Sequence, residues 1–114
     1  MLLNAFLDKL RSAPGTIDFN ETMAVIEEGY VFSETAFVNG EQENKAGENS
    51  GSCKLFAFAK SQDFNEAQTL ACFGQYYRDD VLKTPHGTDH QNIRQFMSHG
   101  WQGITFLTQP LADK

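Results

Sequence analysis

Cys53 is the strongest nucleophile type in the chain, and its neighbours suggest a use for it. It follows Gly51 and Ser52 at the end of a polar, glycine-containing run, where a helix is expected to start. Free backbone N–H groups and the positive end of a helix dipole favour thiolate over thiol there. A histidine base (His86, His90 or His99), oriented by Asn92 or Asp89, would complete a Cys–His nucleophile. Cys53 and His90 are the candidate catalytic residues on this reading. The plainer alternative is a capped loop with a buried thiol. The same N–H groups can also bind a small polar ligand, with Asn49, Ser52 and Lys54 around it. Gly47 and Lys54 do not have the spacing of a phosphate-binding loop.

Two further groups of residues could do chemistry. His86 and His90, with Asp89 between them, have the spacing of half a metal site. A Pro-Gly turn crosses that half-site and no second pair completes it, so neither a metal nor another cofactor is expected. His90 also shares a stripe with Ile93 and Met97, as a half-buried histidine does. The run Tyr76-Tyr77-Arg78-Asp79-Asp80 mixes aromatic and charged side chains. It reads either as a helix end with surface ion pairs or as a cleft wall shared with Arg94 and Trp101, since Arg, Tyr and Trp are common anchors in binding sites. Tyr77, Arg78, Arg94 and Trp101 join the ligand-binding candidates.

The elements that must position these residues are mostly helical. Leu3, Phe6, Leu7 and Leu10 form one apolar stripe, ended by Ser12-Ala13-Pro14-Gly15. A second helix is predicted from Asp18, which with Glu21 makes a capping box, to Gly29 as its C′ glycine. Thr35 to Val38 followed by Asn39-Gly40 signals a short hairpin, and residues 39–52 are the polar loop. Cys53 to Lys60 is read as a helix capped by Ser50 or Ser52. Asp63 is expected to cap a helix running to about Tyr77, with Gly74 at a close crossing. Thr84-Pro85-His86-Gly87 fits a type I turn, and Thr88 with Gln91 a further capping box. The last helix ends at His99-Gly100, where Trp101 should meet Phe96, and Ile104 to Leu107 is a possible short strand.

Composition bounds the rest. The 114 residues make one domain, 1–114, with 40% hydrophobic and 21% charged residues. The net charge of −6 argues against binding nucleic acid or an anionic membrane. The longest apolar run is Leu55 to Ala59, far short of a membrane span. The N-terminus lacks a basic region and an uninterrupted apolar stretch, so no Sec signal is expected. Two cysteines are too few for a disulfide framework. The expected architecture is α+β, mainly α: a compact domain of about five helices with a minor two-stranded β element.

Several stretches resemble the HopJ type III effector family. They are Asn39-Gly40, Asn44 through Phe56, Thr69 through Leu82 and His86 through Trp101. The run Asp89 to Met97, and Gly51 to Lys54 beside Cys72 to Arg78, are the specific parts. Glu34 stands where proline would be expected. The resemblance implies a bacterial cytoplasmic protein delivered to a host cell by type III secretion. It implies no known biochemical activity and no catalytic residues. The function expected is effector-like binding of a partner protein or a small polar ligand. The alternatives are a Cys–His enzyme centred on Cys53, and a bacterial housekeeping protein that is not secreted. The last is favoured by an N-terminus that reads as an ordered helix, with only Ser12 before Asn20.

Overall fold

The computed structural model describes residues 2–114. Helix α1 (Leu2–Ser12) buries Phe6 and Leu10 from its apolar stripe. Lys9 on its other side reaches Glu21 at 2.8 Å and ties α1 to α2 (Phe19–Gly29). The predicted capping box starts α2: the Asp18 carboxylate accepts from the Asn20 N–H, and Glu21 accepts from the Asp18 N–H at 3.0 Å. Gly29 is not a left-handed cap as expected. It is the last helical residue, and Tyr30 leaves directly into strand β1 (Tyr30–Phe32) at φ −138°. Pairing of β1 with the C-terminal strand pulls the chain out extended.

Helix α3 (Ser50–Ser61) is the centre of the core. Cys53 and the run Leu55 to Ala59 are all buried, so the helix is apolar on every side and must be surrounded. Neither Ser50 nor Ser52 caps it. Asn49 occupies that position with a left-handed backbone, φ +51°. Helix α4 (Glu66–Cys72) is capped by Asn65, in a box with Gln68, and not by Asp63. Asp63 instead takes the left-handed turn that closes α3, at φ +57°.

The expected long helix to Tyr77 is broken. Gly74 has φ +61°, and a Cβ on it would lie 2.5 Å from the Phe19 nitrogen, so only glycine lets the chain pass the start of α2 so closely. A π-helical turn, Tyr76–Val81, follows, and the Leu82 N–H bonds the Tyr77 carbonyl five residues back. The turn at 84–87 closes as predicted, with the Gly87 N–H on Thr84 O at 2.9 Å. The Thr88–Gln91 box does not form. The Gln91 side chain donates to the Thr88 carbonyl, and His90 starts α5 (Gln91–His99) at φ +52°. Gly100, at φ +63° and ψ −156°, ends α5 in a region open essentially to glycine alone. The expected ring contact stands: Trp101 meets Phe96 edge to face at 5.1 Å, and its indole N–H bonds Phe64 O.

The β structure exceeds the two-stranded element expected. Strands β2 (Phe37–Asn39) and β3 (Gln42–Asn44) form the predicted hairpin around Gly40-Glu41. Strand β4 (Ile104–Phe106) adds to β2, and β5 (Leu111–Asp113) pairs with β1. Both ladders share one register, so segment 29–40 runs antiparallel to 103–114. Bonds from Leu107 N–H to Ala36 O and from Ser33 N–H to Pro110 O bridge the gap between them.

Candidate functional site

The starts of α3 and α5 face one cleft of about 350 Å³, a size suited to a small ligand. Asn49, Gly51 and Ser52 form one wall. Tyr76, His90, Gln91 and Asn92 form the other, with the Phe19 and Phe73 rings also lining it. Both helix starts depend on a non-glycine residue in left-handed conformation, Asn49 and His90, and neither supplies a side-chain cap. Such backbone costs of order 1–3 kcal/mol and persists only where surrounding contacts enforce it.

Those contacts are visible on both walls. The π-helical turn supplies two partners for His90. The Tyr76 ring stacks on the imidazole, with centroids 5.3 Å apart, and the Asp80 carboxylate takes Nε2 at 2.9 Å. Asp89 is more distant, at 3.8 Å. Tyr76 and Asp80 are four residues apart, the spacing that puts two side chains on one side of a helical turn.

The other wall is held by four asparagines. Asn44 and Asn92 pair amide to amide, at 3.2 and 3.0 Å. Asn49 donates to Asn44 Oδ1 at 2.8 Å, and Asn39 donates to the Asn92 carbonyl at 2.7 Å. This network pins the hairpin, the first turn of α3 and the first turn of α5 to each other. Asn39 Oδ1 is buried with no hydrogen-bond partner among the described residues. Turning that amide over would set an oxygen against two oxygens of Asn92, so the donor orientation is fixed.

A family model described as HopJ type III effector protein matches residues 3–111. The chain belongs to the HopJ type III effector family. It is also similar to a solved structure, "Crystal structure of unknown function protein VPA0580". The two are 54% identical with a TM-score of 0.97, covering 100% of this chain and 95% of that one. No curated protein matches it.

The sequence-derived candidates of this HopJ chain divide between cleft and scaffold. Asn49, Ser52 and His90 line the cleft. Cys53 does not. It is 1% exposed, and burial pushes its thiol up to about 11, opposite to the lowering expected at a helix start. Its N–H is already bonded to Asn49 O, and its side chain packs in the core. Cys72 is likewise buried, its thiol pushed up to about 12. Lys54 lies over the Phe32 ring at 5.0 Å, and Tyr77 packs against the core. Arg78 donates to Ile17 O at 2.6 Å. Arg94 braces the loop before α5 through the Thr84 carbonyl and the Asp89 carboxylate. The hydrogen bond from Arg94 holds the Asp89 carboxyl below the usual carboxylate range. Trp101 is half-buried and packs against the core. Among the described residues, no group of three or more His, Cys, Asp or Glu could hold a metal ion.

Tyr76, Asp80, Gln91 and Asn92 are the site residues that sequence reasoning did not single out as binding groups. Tyr76 and Asp80 stand in the aromatic–charged run, but their shared role depends on His90, which lies beyond the intervening turn. Asn92 entered only as a possible orienter of a histidine; its actual partners are Asn39 and Asn44.

Proposed function

We propose that this HopJ chain is an effector-like binding protein whose ligand is a small polar molecule held between the first turns of α3 and α5. The observation that carries this reading is His90. It is held in a left-handed conformation, stacked on Tyr76 and bonded to Asp80, on the wall of a cleft of about 350 Å³. Ser52 and Asn49 line the opposite wall, the Asn49 amide nitrogen donating to Asn44. These groups offer both donors and acceptors, which suits a molecule bearing carboxylate, phosphate or amide groups. Backbone N–H groups of the two first turns, left without side-chain caps, support the same reading. Cys53, buried and carrying a thiol that stays protonated near neutral pH, supports no nucleophilic role.

A thermal-shift panel tests the proposal, with succinate, inorganic phosphate and glutamine as probes for the three group types. At least one probe should raise the melting temperature of the wild-type chain, and the rise should vanish in His90→Asn and Ser52→Phe. No rise with any probe, or an equal rise in both variants, would contradict it.

Delivery by type III secretion is the second part of the proposal, and the family's description supports it. Residues 1–30 fused to a reporter in a secreting strain should be exported only when the secretion system is intact. Retention of both that fusion and a full-length fusion would favour the housekeeping alternative.

A further inference from the structure

The outer edge of β4 has the features of an unfilled strand-pairing site. In an antiparallel ladder alternate residues exchange backbone bonds with the partner strand. Gly103 and Leu107 bond toward β2, through Gly40 N–H and Ala36 O, so Ile104 and Phe106 direct their backbone groups the other way. The Ile104 N–H is taken by Trp101 O. The Ile104 carbonyl and both backbone groups of Phe106 face an edge with no strand, since β4 neighbours only β2. The corresponding edge of β5 is closed differently: the Gln109 side chain donates to Leu111 O at 2.8 Å.

Edge strands are usually protected by charge, bulges or coverage. The other edge of this sheet, β3, reads Gln-Glu-Asn and carries Glu43. The β4 edge reads Ile-Thr-Phe with no charge, and is followed by Leu107, 77% exposed. Beside it runs a groove of about 720 Å³ between residues 104–111 and Ala57, Lys60 and Ser61 of α3, sharing no lining residue with the cleft of His90. Lys60 is exposed, lies 5.9 Å over the Phe106 ring, and makes no ion pair among the described residues. Asp113 lies farther along, where it disfavours a second acid.

We propose that the β4 edge binds an extended segment of a partner protein by strand addition, with an acidic side chain of that segment meeting Lys60 and an apolar one covering Leu107. The free backbone groups select an extended chain, because nothing else presents donors and acceptors at strand spacing. The lone cation selects the acid. A second copy of this chain is the less suitable occupant, since each copy carries a net charge of −6 and the approach is repulsive.

The test is selection of a random peptide library, about eight residues long to match a typical strand, against the folded full-length chain. Enriched peptides should share one Asp or Glu flanked by apolar residues. Their affinity should fall roughly tenfold or more on Lys60→Glu, and again on Leu107→Asp. Both positions are exposed, so the variants should fold; unchanged circular dichroism verifies this. N-methylation of the peptide amide that faces Phe106 should abolish binding. The proposal is overturned if no peptide is enriched, if binding ignores both substitutions and the N-methyl group, or if the free chain dimerises through this edge with the Phe106 amide protected from exchange.

Discussion

Helix α3 joins two regions built on opposite principles. From Leu55 to Ala59 it is sealed: Phe56 has four aromatic neighbours, with ring centroids 5.1–6.4 Å away on Phe37, Phe73, Phe96 and Trp101. Phe37, Phe56, Phe73 and Phe96 are each buried, and Trp101 closes the margin half-buried with its indole N–H on Phe64 O. Six residues before Leu55 the same helix opens on a left-handed Asn49, beside a buried amide network and an open cleft. The first region explains why the fold holds. The second retains strain and polar groups that packing alone would remove, which is the usual condition of a functional site. Cys53 lies on the boundary, and burial assigns it to the sealed side.

The largest effect should come from the sealed side. Phe56→Ala should destabilise by about 3–5 kcal/mol, read from urea unfolding, because the surrounding rings cannot collapse into the space. A loss below about 1 kcal/mol would mean the core is organised around another residue. Next is Asn92→Ala, which removes the amide paired with Asn44 and the second acceptor of Asn39 in a buried setting, while the bond from Asn39 to the Asn92 backbone carbonyl survives. About 1–3 kcal/mol is expected, with hydrogen exchange accelerated in the 37–44 hairpin. Loss of stability without that acceleration would show that the network does not hold the hairpin to α5.

The cleft itself should be inexpensive to alter. His90→Asn keeps a residue that tolerates the left-handed backbone while removing the Tyr76 stack and the Asp80 bond. Stability should change by no more than about 1 kcal/mol. A drop comparable to Phe56→Ala would erase the distinction between the two regions. The smallest effect concerns Asp89. Its carboxyl is held down by Arg94, so the stabilisation from that contact is complete above the usual carboxylate range and is lost as pH falls through the lowered value. A carboxyl-carbon NMR titration should place the Asp89 midpoint below that range, and Arg94→Gln should raise it. An unchanged midpoint would remove the contact from the account.

Local signals in the sequence were enough for much of this. Asp18 with Glu21, Asn39-Gly40 and the Leu3 to Leu10 stripe specify their elements through neighbours within a few positions, and each formed as expected. Elements that depend on distant contact were hidden. The break at Gly74 exists because the start of α2 passes there, and β5 exists because β1 lies opposite. The site shows the same division. Asn49, Ser52 and His90 were legible from a polar run entering a helix and a histidine near another helix start. Arg78 and Arg94 looked like ligand anchors, yet they are occupied by the carbonyls of Ile17 and Thr84, partners that composition cannot reveal. Of the two readings of Cys53, the structure supports the buried thiol, because Cys53 lies far enough into α3 for its side chain to turn inward.

The most direct test of the central claim is amide chemical-shift mapping of the full-length chain, titrated with the same succinate, phosphate and glutamine probes. The account predicts saturable shifts for at least one probe, concentrated on residues 49–52 and 90–93 and on Tyr76, and absent in His90→Asn. Shifts confined to other surfaces, or none at saturating probe, would contradict it.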